Sequence, residues 1–201
     1  MTSLPLVFPE RVRVVVADAN VLFSRSLRDY LLIAAEQEVI EVHWSPQILK
    51  DLADKLVERR PGFTAAAAQR LVNAMTTAFP DALITPSKED LTRVSKYALP
   101  DSDDCDVIAS ALTVEATIIC TLNRKHFPEP VMDDLGLTAI GPDDLLVALI
   151  DDYPPQMVAA HRQAVAHFPG GTDHSTLAAL HKAQAPRVAA RFAAVLQLTT
   201  S

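Results

Sequence analysis

The chain has 201 residues, 49% of them apolar, which suits one domain with an appended subdomain and excludes a disordered chain. A net charge of −7 counts against nucleic-acid binding through a broad basic surface, while leaving room for a localised acidic site. No apolar run is long enough to span a bilayer and residues 1–10 hold no apolar signal core, so a cytoplasmic protein with no membrane contact is expected. Cys105 and Cys120 lie in apolar patterns without a CxxC neighbour and read as reduced, buried side chains.

Residues 12–17 form a β-branched run that ends at Asp18 and reads as a central parallel strand. A helix is expected over 20–35, with Leu22, Phe23, Leu27, Tyr30, Leu31 and Ala34 on one side. A short strand over 39–44 precedes Ser45, a helix cap followed by Pro46 at the first helical position. That helix carries Ile48, Leu49, Leu52 and Leu56 and stops before Pro61-Gly62. Further helices are expected over 64–79 and 87–99, with a short strand over 82–85 between them. A helix over 103–115 leads into an apolar strand over 117–122, then a strand over 138–140 and a helix opened by Pro142. Strands alternating with helices predict an α/β fold, a parallel sheet flanked by helices. From residue 153 no strand signal remains. Helices over 157–168, 175–182 and 186–198 predict a helical appendage. The expected division is 10–152 for the α/β domain and 153–201 for a C-terminal helical extension, with the break near Pro154-Pro155.

Strand carboxyl ends line the ligand crevice of an open parallel sheet, and Asp18 sits at such an end. Asp51 borders the apolar face of its helix. The segment from Asp101 to Asp106 places four carboxylates (Asp101, Asp103, Asp104 and Asp106) in six residues at a helix start. A helix dipole favours some negative charge there but does not call for four. Capping, a solvated loop or a bound cation are all compatible with that run. Carboxylate oxygens suit Mg²⁺ or Mn²⁺, and phosphodiester hydrolysis is the chemistry that needs such a cluster. No HExxH, GxxxxGK[ST] or GxGxxG pattern occurs, so zincin and common nucleotide-binding readings lose their warrant.

Five segments recur in family order. They are Val16-Ala17-Asp18-Ala19-Asn20-Val21-Leu22, residues 44–52 around Asp51, Ala78-Phe79-Pro80-Asp81-Ala82, residues 99–104, and Thr121-Leu122-Asn123-Arg124-Lys125-His126-Phe127-Pro128. Each alone is weak; together, at this spacing, they make the chain resemble the PIN-domain family over about 12–145, specifically the VapC-like toxin branch with a C-terminal helical extension. The resemblance implies a Mg²⁺- or Mn²⁺-dependent endoribonuclease, the toxin of a type II toxin–antitoxin pair, acting on RNA, restrained by an antitoxin protein and often homodimeric. Catalytic acids implied by position are Asp18, Asp51 and Asp104, with Asp18 and Asp104 as metal ligands.

Asp101, Asp106, Asn123 and His126 are auxiliary candidates. His126 stands where the family has Asp. It can act as a ligand, as a bystander turned away from the acids, or as a defect, and the acidic loop around Asp104 favours the bystander. Arg25, Arg28, Arg124 and Lys125 are candidates to hold RNA phosphates around the site. A crippled binding module and a housekeeping RNA-processing nuclease are the competing readings on the same fold.

Overall fold

The computed structural model describes residues 13–168 and 170–197. The first residue of the expected opening strand, the last residue of the expected final helix, and both outer ends of the expected domain division lie outside them. Four strands form one parallel sheet: β1 (Arg13–Ala17), β2 (Ile40–His43), β3 (Ile118–Cys120) and β4 (Thr138–Ile140). Their order is β2-β1-β3-β4. Register pairs Val15 with Val42 on one side of β1 and with Ile118 on the other. β1 and β3 are buried on both faces, which explains their β-branched, near-continuous apolar composition. From β1 the chain crosses to β2 on one side and later returns to β3 on the other. The reversal leaves a crevice at the carboxyl ends of β1 and β3.

Helices α1 (Ala19–Phe23), α2 (Arg25–Glu36), α3 (Pro46–Arg59), α4 (Ala65–Ala78), α5 (Lys88–Val94), α6 (Asp104–Thr113), α7 (Glu129–Leu135) and α8 (Pro142–Asp152) cover the sheet and its edges. The single helix expected over 20–35 is two. Ser24 has extended backbone angles, ends α1, and caps α2 by accepting from Leu27 N. The strand expected over 82–85 is reduced to one parallel bridge between Trp44 and Leu83, because Pro80 opens a short 3₁₀ turn over Pro80–Ala82. α5 stops at Val94, well short of residue 99. Ser45 and Pro46 do start α3 as their residue types imply: Ser45 Oγ accepts from Ile48 N at 3.1 Å.

Three further helices follow: α9 (Pro154–Ala166), α10 (Asp173–Lys182) and α11 (Pro186–Val195). The prolines near residue 154 open α9 and do not break the chain away from the fold, since α9 packs on α2 and α11 packs on α8. Asp143 on α8 caps α11 from outside, accepting from Val188 N at 2.9 Å. The buried junction is Tyr30, His161 and Phe192, with the His161 ring 4.9 Å from Phe192. Tyr30 O–H meets His161 Nδ1, and His161 Nε2–H donates to Asp173 Oδ1 at 2.9 Å, which satisfies both ring nitrogens of a neutral imidazole.

Burial holds the His161 pKa below its ordinary 6.5, only partly opposed by Asp173. Its neutral form therefore contributes stability that is present above about pH 6.5 and lost as pH falls, because the unfolded chain takes up the proton first. Half-buried His43 is shifted the same way by burial. The stability of the wild-type chain should fall more steeply between about pH 6.5 and 5 than that of His161→Gln. Equal slopes in urea denaturation series across that range would show that His161 is not buried neutral.

Candidate metal centre at the carboxyl end of the sheet

Asp18 follows β1 directly, and its backbone N–H extends the ladder by donating to Cys120 O at 3.0 Å. The side chain is 6% exposed, so its charge needs partners. Thr121 Oγ donates to Asp18 Oδ2 at 2.7 Å, and Asn20 Nδ2 donates to the same oxygen. Thr121 Oγ also accepts from Asn20 Nδ2 at 3.1 Å and from Asn123 N at 3.0 Å. Asn20 Oδ1 accepts from Leu122 N at 2.9 Å, which fixes the orientation of its amide. This closed network locks Asp18 to the end of β3. It leaves Asp18 Oδ1 with one long contact, 3.4 Å from Asn20 N.

Beside that network lies a cleft of about 300 Å³, to which Asp18, Asp51, Asp101, Asp103, Asp104, Asn123 and His126 all contribute. Asp51 enters from α3, its Oδ1 accepting from Gln47 Nε2 at 2.8 Å. Burial pushes the Asp51 carboxyl pKa up, with the Gln47 bond opposing. Asp104 opens α6, and its pKa rises to about 6, first through burial and then through the nearby Asp18 charge. His126 offsets part of that rise. A carboxyl raised by burial and by a neighbouring acid marks a site short of positive charge.

His126 does not turn away, contrary to the bystander expectation. Its Nδ1 is 2.9 Å from Asp104 Oδ2 and 3.7 Å from Asp101 Oδ2. The short 3₁₀ turn over Arg124–His126 swings the imidazole back toward the α6 acids, and the electrostatic deficit there explains why it stays. One donor atom each from Asp101, Asp104 and His126 lies within 4.8 Å of the others. The donor set is mostly hard oxygen with one imidazole, which fits Mg²⁺ or Mn²⁺.

The remaining expected residues lie elsewhere. Asp106 is outside the cleft, because Ser45 Oγ donates to its Oδ2 and ties α6 to the start of α3. Arg28 is buried and donates to Leu22 O at 2.7 Å, and burial lowers its pKa; it braces the α1–α2 junction and has no free guanidinium face for phosphate. Arg25 sits over the Phe168 ring at 4.2 Å and 3.5 Å from Asp29. Arg124 and Lys125 are exposed and line a second cavity of about 550 Å³. They occupy the two positions between Asn123 and His126, so they flank the acidic cleft. Sequence reasoning did not single out Thr121 or Lys55. Thr121 had a signal in its position at the end of an apolar strand that pairs with the Asp18 strand. Lys55 had one in its place four residues after Asp51.

His126→Asp should sharpen the charge deficit. Without divalent ion the variant should lose about 1–2 kcal/mol of stability from added repulsion, and Mg²⁺ should return more stability to it than to the wild type. Thermal melts with chelator and with Mg²⁺ check this. A variant as stable as wild type in chelator would mean the three side chains are not electrostatically coupled.

A family model described as "PIN domain" matches residues 14–125. The chain is similar to a protein named "Putative ribonuclease VapC50" from Mycobacterium tuberculosis (strain ATCC 25618 / H37Rv), at 36% identity over 90 residues. That match covers 44% of this chain and spans only 53% of the relative's length. No solved structure matches the chain. The region matched by the family model takes in β1 from Val14, all of β2 and β3 and the acids of α3 and α6, and ends one residue before His126. The chain belongs to the PIN-domain family.

Proposed function

We propose that the protein is a divalent-metal-dependent endoribonuclease, the toxin of a type II toxin–antitoxin pair. The observation that carries this reading is the meeting of Asp18, Asp51 and Asp104 in one cleft. They come from three separate elements, and nothing local in the sequence requires it. Asp18 and Asp104 hold the ion, with Asp101 and His126 beside them. Mg²⁺ or Mn²⁺, when bound, supplies the charge that acidifies a coordinated water and offsets the phosphorus oxygens. Thr121 and Asn20 hold Asp18 in orientation through hydrogen bonds to its Oδ2. Asp51, with its raised pKa, is placed to accept a proton at the far wall. Arg124 and Lys125 hold RNA phosphates at the rim.

In this reading residues 10–152 are the nuclease domain and 153–201 a helical extension that braces it. In this reading the protein works in the cytoplasm, where its RNA substrate is. Among the described residues no helix is long and apolar enough to cross a membrane. An antitoxin protein covers the acidic cleft, and a homodimer is the working assembly. Induction of the chain in a bacterial host should arrest growth, and co-expression of a short neighbouring gene should relieve the arrest. A host that grows normally on full expression of soluble protein would remove the toxin role.

A further inference from the structure

α3 presents Ile48, Asp51, Lys55 and Glu58 to the cleft at helical spacing. Its other charged side chains are matched along the helix. Gln47 Nε2 holds Asp51 Oδ1, Lys50 Nζ pairs with Asp54 Oδ2 at 2.8 Å, and Glu58 lies 3.8 Å from Arg59 Nε. Lys55 is left over. Among the described residues it has no ion pair within 4.0 Å, although Asp51 stands four residues before it, the spacing and order at which an acid and a lysine normally pair. Gln47 takes Asp51 Oδ1, and Lys55 reaches the Asp51 carboxylate only as a longer-range charge that opposes the rise in its pKa. Lys55 is also the one lysine or arginine among the cleft-lining residues, which otherwise include seven carboxylates.

A polyanion entering this cleft meets strong repulsion. Ions held by Asp18 and Asp104 relieve it at the α6 side, and at the α3 side Lys55 is the one lysine or arginine that lines the cleft, Lys50 being paired with Asp54. An ammonium with no ion-pair partner within 4.0 Å has its hydrogen-bonding capacity free for an anion. We propose that Lys55 holds a non-bridging oxygen of an RNA phosphate next to the one that is cut, so that the strand is pinned between α3 and the metal side. This rests on the ribonuclease reading.

The test uses the full chain with Mn²⁺ and two RNAs. One is a 2′-O-methyl single strand of mixed sequence, checked by gel to stay uncut over the measurement and read by fluorescence anisotropy over a salt series. The other is a cleavable RNA, read for kcat and KM. Lys55→Met should weaken binding about three- to tenfold and flatten the log-log salt dependence by ~0.7, the share of one phosphate contact on a single strand. KM should rise by a similar factor while kcat stays within about twofold. Lys55→Arg should recover most of the affinity and the slope, which a purely structural role would not predict. Unchanged affinity and slope in Lys55→Met, or a loss of affinity with an unchanged slope, overturns the proposal. If the wild type binds the uncleavable strand but cuts no RNA, the ribonuclease reading fails and the Lys55 slope still decides the phosphate contact. If the wild type binds neither RNA, both fail.

Discussion

Asp18→Asn is expected to lower RNA cleavage by at least about a hundredfold while leaving the fold in place, because it removes the charge that holds the ion and little else. The amide oxygen can keep the hydrogen bonds from Thr121 Oγ and Asn20 Nδ2 that Asp18 Oδ2 now accepts. The amide nitrogen then stands at the Oδ1 position, so only the long 3.4 Å capping contact from Asn20 N is lost. Stability should change by no more than about 1 kcal/mol. A second readout separates lost charge from lost shape. The Asp18 charge is one cause of the raised Asp104 pKa, so in Asp18→Asn that pKa should fall from about 6 toward the ordinary 3.8. Burial, the first cause, remains, so the fall should be partial. An active Asp18→Asn protein, or an unmoved Asp104 titration by NMR, would mean that the two acids do not share one site.

The largest stability effect is expected far from the cleft, at Phe192. Its ring is fully buried, 5.5 Å from Tyr30 and 4.9 Å from His161. Truncation to Ala removes the packing that fastens α11 across α2 and α9, and should cost about 3–5 kcal/mol. No residue of α9, α10 or α11 lines the cleft, so folded Phe192→Ala protein should bind Mn²⁺ as the wild type does. Urea unfolding and calorimetric titration measure the two quantities. A loss under about 1 kcal/mol would show that the C-terminal helices fold as an independent appendage and do not brace the sheet.

The fold was legible where periodicity and burial agree. β1 and β3 are apolar on both faces, and the Ser45-Pro46 start of α3 follows from cap chemistry alone. What sequence reasoning misplaced has physical causes. Ser24 could stay in a helix or cap one, and only the packing of α2 decides. The 82–85 stretch is β-like in composition, yet Pro80 spends its approach on a 3₁₀ turn. At the site, Asp18 and Asp104 are visible as acids at element ends. The roles of Arg28 and Asp106 are not, because Arg28 answers to the Leu22 carbonyl and Asp106 to Ser45, contacts set by how helices stack. His126 reads as a gap in the acid pattern, and only the geometry of its turn brings it to Asp104.

The central claim is that this acidic cleft is a divalent-metal centre that cuts RNA. The most direct measurement is the cleavage rate of labelled single-stranded RNA by the wild-type chain as Mn²⁺ is titrated into metal-stripped protein. The account predicts no cleavage in chelator, a rate that rises and saturates with Mn²⁺, and return to zero on renewed chelation. Cleavage that persists in chelator, or a folded, Mn²⁺-saturated protein that leaves the RNA intact, would contradict it.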